Sequence, residues 1–245
     1  MIGATFRFYE ELNDFLAPRR RGHEFACRCA PSATTKHMIE AFGVPHTEVE
    51  LVLVNGESVA FERRLSDGDR VAVYPKFEAL DITPLLRVRE SPLRLTRFVA
   101  DAHLGGLARL LRMAGFDTLY DNHYRDPEIV SLAEAEGRIV LTRDRELLKR
   151  RGVSHGCYVH ALRPALQLRE LVARLDLARS ARPLTLCLDC NRPLQAVSRA
   201  EVAARLPDHV RGDRFSRCDA CQRVFWEGSH WRHMRQRLDH LLQPG

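Results

Sequence analysis

Apolar and polar residues change rhythm along the chain, and each rhythm predicts a different architecture. Residues 2 to 9 and about 23 to 29 alternate, which predicts two strands joined by a turn rich in Arg and Pro. A helix is expected from Thr35 to about Phe42, closed by Gly43 and Pro45. Short strands follow over Glu48 to Val54, around Val59 to Phe61 and from Leu65 to Pro75, with hairpin signals at Asn55-Gly56 and Asp67-Gly68. From residue 98 the pattern becomes strand, acid, helix. Phe98 to Ala100 stops at Asp101, and Leu104, Leu107, Leu111 and Ala114 then recur at helical spacing.

The same alternation returns several times. Gly115 ends the first helix, Phe116 to Tyr120 reads as a strand ending at Asp121, and Asp126-Pro127-Glu128 opens a helix that Gly137 closes. Arg138 to Thr142 is a third strand with Arg143-Asp144-Arg145-Glu146 at its exit, Cys157 to His160 a fourth, and Pro164 to about Leu177 a last helix. Repeated strand and helix predict an α/β fold, a parallel sheet with helices on both faces. The expected parts are residues 1–82 (α+β), a Pro- and Arg-bearing linker over 83–95, the α/β domain over 96–182, and a cysteine-bearing module over 183–245.

Charge sharpens that division. Residues 1–82 carry 10 basic and 13 acidic side chains, 83–182 carry 18 and 12, and 183–245 carry 10 and 7, so the basic parts are the ones suited to approach a polyanion. Only three Lys stand beside 35 Arg, a bias that genome composition also produces. No apolar run approaches the roughly 20 residues of a membrane span, and the alternating N-terminus does not resemble a signal peptide. A cytoplasmic protein with no membrane partner is expected.

In a parallel sheet, Asp101 and Asp144 leave their strands at one edge, with Asp121 or Asp126 from a neighbouring exit. Carboxylates gathered there raise one another's pKa unless a cation neutralises them, and hard oxygen ligands partly open to water suit Mg²⁺ or Mn²⁺. Such an ion could activate water against a phosphodiester. Asp101, Asp126 and Asp144 also precede helices, where Asp is an ordinary cap worth roughly 1 kcal/mol.

Seven cysteines in a chain without an export signal favour metal or free thiols over disulfides. Cys187-Leu-Asp-Cys190 and Cys218-Asp-Ala-Cys221 form two Cys-x-x-Cys pairs with 27 residues between them, the spacing of a zinc ribbon. Four thiolates leave no open position, so the Zn²⁺ is expected to be structural. Cys27 and Cys29 share a strand face and read as idle thiols. The segment from Arg223 to Arg237 interleaves aromatics, His and Arg, a mix suited to unpaired bases and phosphates, although Phe225, Trp226 and Trp231 could equally pack the ribbon.

Two resemblances carry these readings further. The order of elements over the first 80 residues, with Val54-Asn55-Gly56 and Leu65 to Pro75, resembles the ubiquitin-like β-grasp fold, in particular the sulfur carriers of thiamine and molybdopterin synthesis. Those carriers end in an activatable Gly-Gly carboxylate. Here the chain continues through Lys76-Phe77-Glu78-Ala79-Leu80, which leaves a docking or scaffold role and a possible protein partner.

Phe98-Val-Ala-Asp101, Leu107-Ala-Arg-Leu-Leu-Arg112 with Gly115-Phe-Asp-Thr-Leu-Tyr120, and Arg138-Ile-Val-Leu-Thr-Arg-Asp-Arg-Glu-Leu147 closely resemble the Mut-seven C-terminal RNase domain, a PIN-like nuclease fold. The resemblance implies metal-dependent RNA cleavage and carries over to Asp101 and Asp144; for the middle acid both Asp126 and Glu128 fit, and Asp126 is favoured. Arg109, Arg112 and Arg143 are expected near phosphates, with His230, Trp231 and Arg235 contributing to RNA binding. The rival is an RNA-binding or adaptor protein without turnover, whose acids only cap helices. A second rival is a regulatory partner docked through the β-grasp module: deletion of residues 1–82 is expected to spare RNA activity in the ribonuclease reading and to abolish partner capture in this one.

Overall fold

The computed structural model describes residues 1–75, 96–207 and 210–243. The expected linker at 83–95 and the segment from Lys76 to Leu80 lie outside the described residues. The N-terminal sheet holds β1 (Ile2–Phe8), β2 (Phe25–Cys29), β3 (Leu51–Val54), β4 (Glu57–Ser58) and β5 (Asp69–Tyr74) in the order β2-β1-β5-β3-β4, with α1 (Thr35–Ala41) between β2 and β3. β1 runs antiparallel to β2 and parallel to β5, the mixed pairing of a β-grasp sheet.

Alternation in β1 buries Ala4, Phe6 and Phe8 together, and Phe42 meets Phe6 edge-on at 5.0 Å and Phe25 at 5.1 Å. The Thr34 hydroxyl caps α1 by accepting from His37 N at 3.2 Å. Asn55 and Gly56 both take positive φ, 54° and 89°, as a tight hairpin turn between twisted strands demands. The Asn55 side chain then donates to buried Asp69 at 2.9 Å and accepts from Arg70 N at 2.9 Å, which ties the turn to β5. Two details differ from expectation. The strand after the turn is Glu57–Ser58, earlier than Val59 to Phe61, and the connection after β1 contains a 3₁₀ helix, Glu10–Phe15, that buries Leu12 and Phe15.

The remaining elements are β6 (Phe98–Ala100), α2 (Gly105–Met113), β7 (Thr118–Leu119), α3 (Asp126–Glu136), β8 (Ile139–Thr142), α4 (Arg145–Leu148), β9 (Gly156–Tyr158), α5 (Pro164–Leu175), β10 (Leu194–Val197), α6 (Arg199–Val202), β11 (Phe215–Cys218), β12 (Val224–Trp226) and α7 (Ser229–Leu242). The α/β part is a parallel sheet flanked by helices, with β6 parallel to β7 and β8 parallel to β9. β6 and β8 are buried at every position, which explains why both read as continuous apolar runs. None of the described helices is long and apolar enough to cross a membrane.

Contacts divide the chain into two compact units that do not follow chain order. The first joins the β-grasp sheet to Asp126–Tyr158. Within it, Glu48 accepts from Tyr158 N of β9, and His46 Nε2 stands 3.0 Å from the Val153 carbonyl while Nδ1 stands 2.8 Å from Glu40. Arg145 donates to the carbonyls of Phe15 and Asp14 at 3.2 and 3.4 Å, with its guanidinium 5.0 Å from the Phe15 ring and 5.6 Å from that of Tyr158.

The second unit holds β6, α2, β7, α5 and the cysteine-bearing module, a three-stranded antiparallel sheet in the order β10-β11-β12 followed by α7. Gly106 lets α5 approach α2, because a Cβ there would stand 2.6 Å from Pro164 Cγ. α6 starts with a complete capping box between Ser198 and Glu201.

Candidate functional site

The two Cys-x-x-Cys segments fold alike. In the first, Cys187 N donates to Arg192 O at 2.8 Å and Asn191 N to Cys187 O at 2.9 Å; in the second, Cys218 N donates to Arg223 O at 3.1 Å and Gln222 N to Cys218 O at 2.8 Å. Asn191 and Gln222, each directly after the second cysteine, take φ of 57° and 58°. That left-handed residue turns the chain so that both thiols of a pair face one point.

All four sulfurs lie within 4.8 Å of one another, and Cys187 Sγ is 3.8 Å from Cys221 Sγ. A tetrahedral ion with Zn–S bonds of about 2.3 Å sets its sulfurs about 3.8 Å apart, so soft donors and spacing both fit zinc. Ionisation is uneven in this crowd. Contact with Cys221 and then burial push Cys190 up to about 12, and burial raises Cys187. Burial also opposes ionisation of Cys218, yet the main-chain N–H groups of Cys221 and Ala220 outweigh it and bring that thiol to about 7. Four neighbouring thiolates require a cation to coexist. This is the one group of three or more metal-ligating side chains converging on a point among the described residues.

The first knuckle is fastened to α2 and β7. Arg112 is buried; its Nε donates to Thr118 O at 2.9 Å, and its Nη1 to Leu188 O at 3.0 Å and Asp189 O at 2.9 Å. Burial lowers its pKa from the ordinary arginine value. Arg112 was expected at a phosphate; instead it satisfies three carbonyls, and its role is structural. Asn191 accepts from Thr118 N at 2.9 Å and donates to Asp117 at 2.6 Å. Asp189 takes an ion pair from Arg109 at 3.3 Å and another from Arg223.

The candidate acids occupy different settings. Asp101 follows β6, is half-buried, and makes no side-chain cap bond to the 3₁₀ turn Ala102–Leu104. Asp144 is exposed and caps α4, accepting from Glu146 N at 2.8 Å while its own N–H donates to Thr142 Oγ1 at 2.9 Å. Asp126 is the first residue of α3 and pairs with Arg150 at 3.4 Å; Glu128 lies in the same first turn. Asp121 is exposed, and the His123 main-chain N–H, at 2.9 Å, holds its carboxyl below the usual range. Asp101 and Asp121 belong to the second unit, Asp126 and Asp144 to the first. Arg143 is half-buried directly before Asp144.

Around α7, His230 is exposed, Arg235 pairs with Asp239 at 2.9 Å, and half-buried Trp231 lines a cavity with Trp226. Asn191 was missed by sequence reasoning, although its place directly after a Cys-x-x-Cys pair is a legible signal for a left-handed turn residue. Arg145 was also missed; the carbonyls it bonds are more than a hundred residues away in the chain.

Comparison with known proteins divides the chain in sequence order. Residues 96–238 match the family model of the Mut7-C RNAse domain, and residues 1–81 that of Mut7-C ubiquitin. Among solved structures, the crystal structure of H. volcanii small archaeal modifier protein 1 is similar at 17% identity, covering 31% of this chain and 100% of that one with a TM-score of 0.26. The crystal structure of SAMP1 from Haloferax volcanii gives 17% identity, 32% and 99% coverage, and the same TM-score of 0.26. No curated protein matches the chain. The RNase-domain match spans more than half of the sequence, and with a ubiquitin-like sheet before it and a four-cysteine ribbon inside it, the chain belongs to the Mut7-C RNAse domain family.

Proposed function

We propose that the protein is a Mg²⁺- or Mn²⁺-dependent ribonuclease of PIN-like type, with a structural zinc ribbon that helps to hold RNA. The observation that carries this reading is the RNase-domain match over a segment in which Asp101 and Asp144 each end a buried parallel strand. Asp101, Asp144 and Asp126 would hold the ion, with Asp121 as a further acid, since hard carboxylate donors suit it. When bound, such an ion supplies activation of water and neutralisation of charge on the leaving oxygen.

The chain's own side chains supply the rest. Arg143 directly precedes Asp144 and Arg109 lies on the helix that follows Asp101; both would orient phosphates, while His230, Trp231 and Arg235 engage the strand beyond. Asp144→Asn is the test. Asn caps a helix as well as Asp does, so α4 and the zinc content should persist while Mn²⁺-dependent cleavage of a labelled RNA is abolished. Cleavage at the unaltered rate refutes the reading.

A second reading, an RNA-binding or adaptor protein without turnover, is favoured by the capping bond that Asp144 makes. Binding independent of divalent ions, with no product after long incubation, would select it.

The β-grasp half is read as a scaffold docked on its own chain, with partner capture left to its remaining surface. This changes the deletion expectation. Without residues 1–75, Tyr158 N and Arg145 lose the groups they bond, and burial of unsatisfied donors costs about 1–3 kcal/mol each. The truncated protein is expected to lose thermal stability and cleavage together, and a shortened chain of unchanged stability and activity would make the module an appendage.

A further inference from the structure

Both tryptophans of the chain, Trp226 and Trp231, line one cavity of about 270 Å³ in the ribbon. Leu184, Leu194 and Phe215 close its apolar walls, and Arg214 and Glu227, paired at 3.5 Å, stand among its lining groups. A second, larger cavity of about 540 Å³ shares Phe225, both tryptophans and Glu227, then adds Arg211, Arg223, His230 and Arg232. Aromatic rings therefore separate an apolar slot from a basic groove. Arg211 and Arg232 are exposed and make no ion pair among the described residues.

From this juxtaposition we infer that the slot receives one unpaired nucleobase of single-stranded RNA while the phosphates beside it run along the groove. The inference rests on the RNA-directed reading above and names the form of RNA recognised. Size favours a single base, because the volume falls just below the roughly 300–1,000 Å³ of sites for drug-sized ligands. Charge favours it too. Arg211, Arg223 and Arg232 line the groove and not the slot, whose one cation among the described residues, Arg214, is paired with Glu227, so the slot suits a neutral planar ring, and that pair presents donors and acceptors to the ring's polar edge. A base stacked in a duplex cannot enter a walled slot, whereas one splayed from a single strand can stack on an indole.

The tryptophan count makes the test direct, since tryptophan emission, excited selectively over that of the five tyrosines, comes from this site alone. Full-length zinc-loaded protein carrying Asp144→Asn is titrated with a short single-stranded RNA, the same sequence as a duplex, single-stranded DNA of equal length, and inorganic polyphosphate. Saturable quenching by the single-stranded RNA and none by duplex or polyphosphate is expected; DNA that quenches equally means the slot reads the base and not the sugar. Trp231→Ala should weaken binding of a labelled strand about 5- to 150-fold, the equivalent of one lost base stack.

Arg232→Ala leaves the slot intact and guards against a folding defect. It should keep full quenching yet weaken affinity, lowering the salt slope by about 1. Equal quenching by duplex or polyphosphate, or undiminished binding by a zinc-replete Trp231→Ala protein, overturns the proposal. Cleavage by the Asp144→Asn protein would instead fault the nuclease assignment and leave the quenching result standing.

Discussion

In the β-grasp sheet, Phe6, Phe8, Leu12 and Ile39 belong to one cluster of 18 buried apolar side chains, whereas the ribbon's own cluster holds three, Val202, Val210 and Phe215. At about 1.5–3 kcal/mol for each large side chain buried, three contribute a small fraction of what eighteen do. The difference teaches where each sheet gets its order. The β-grasp sheet is held by its interior. The ribbon has few interior contacts and is organised at two points, the convergence of four thiols and the fastening of the first knuckle by Arg112 and Asn191.

Removing the metal is the largest way to break that contrast. In small zinc modules about 10–16 kcal/mol of metal binding appears as folding free energy, so Cys218→Ala or exhaustive chelation should unfold the ribbon outright. Tryptophan emission, which arises only there, should shift to the red while the far-ultraviolet signature of the β-grasp sheet persists. In the opposite direction, Phe6→Ala should remove about 3–5 kcal/mol from the β-grasp unit and leave zinc content and tryptophan emission unchanged. A ribbon that keeps its emission without metal would mean its apolar cluster suffices.

How much of this was legible in the sequence follows the same contrast. Alternation in β1, the Asn55-Gly56 turn and the two cysteine pairs are local patterns, and local patterns survive in one dimension. The RNase segment was legible through its strand exits, although the bond Asp144 makes to Glu146 N serves a helix cap. Arg112 was misread because an arginine on a helix usually faces water. A signal existed: Leu107, Ala108, Leu111 and Arg112 share one buried face of α2, and a charge on an apolar stripe requires partners. Those partners, Leu188 and Asp189, lie some 76 residues further on, where no periodicity points. The 3₁₀ helix Glu10–Phe15 was hidden because its buried pair, Leu12 and Phe15, fits neither a strand nor an α-helix spacing long enough to notice.

Arg112 offers a test of intermediate size. Arg112→Ala removes a buried cation and leaves three carbonyls without their donor, a loss of about 2–4 kcal/mol if charged hydrogen bonds contribute about 1.5–3 kcal/mol each and water partly re-enters. Zinc should remain bound, because no thiol is touched. Limited proteolysis should then cut between residues 183 and 187 far faster than in the parent. Unchanged protection would show that Asn191 and the ion pairs of Asp189 hold the knuckle without Arg112.

The smallest effect separates the two knuckles from each other. Asn191 and Gln222 hold the same left-handed conformation, which a residue with a Cβ adopts at a cost of about 1–2 kcal/mol. Glycine relieves that cost at both positions, yet the side chains it removes differ. Asn191 bonds Thr118 N and Asp117, whereas Gln222 reaches only the carbonyl of Asp219 within its own knuckle. Gln222→Gly should therefore raise the ribbon's melting temperature slightly, and Asn191→Gly should lower it, because an amide left without its acceptor at Thr118 outweighs the relief. If both substitutions stabilise the ribbon, the first knuckle's attachment to β7 contributes nothing measurable, and backbone strain alone distinguishes these positions from their neighbours.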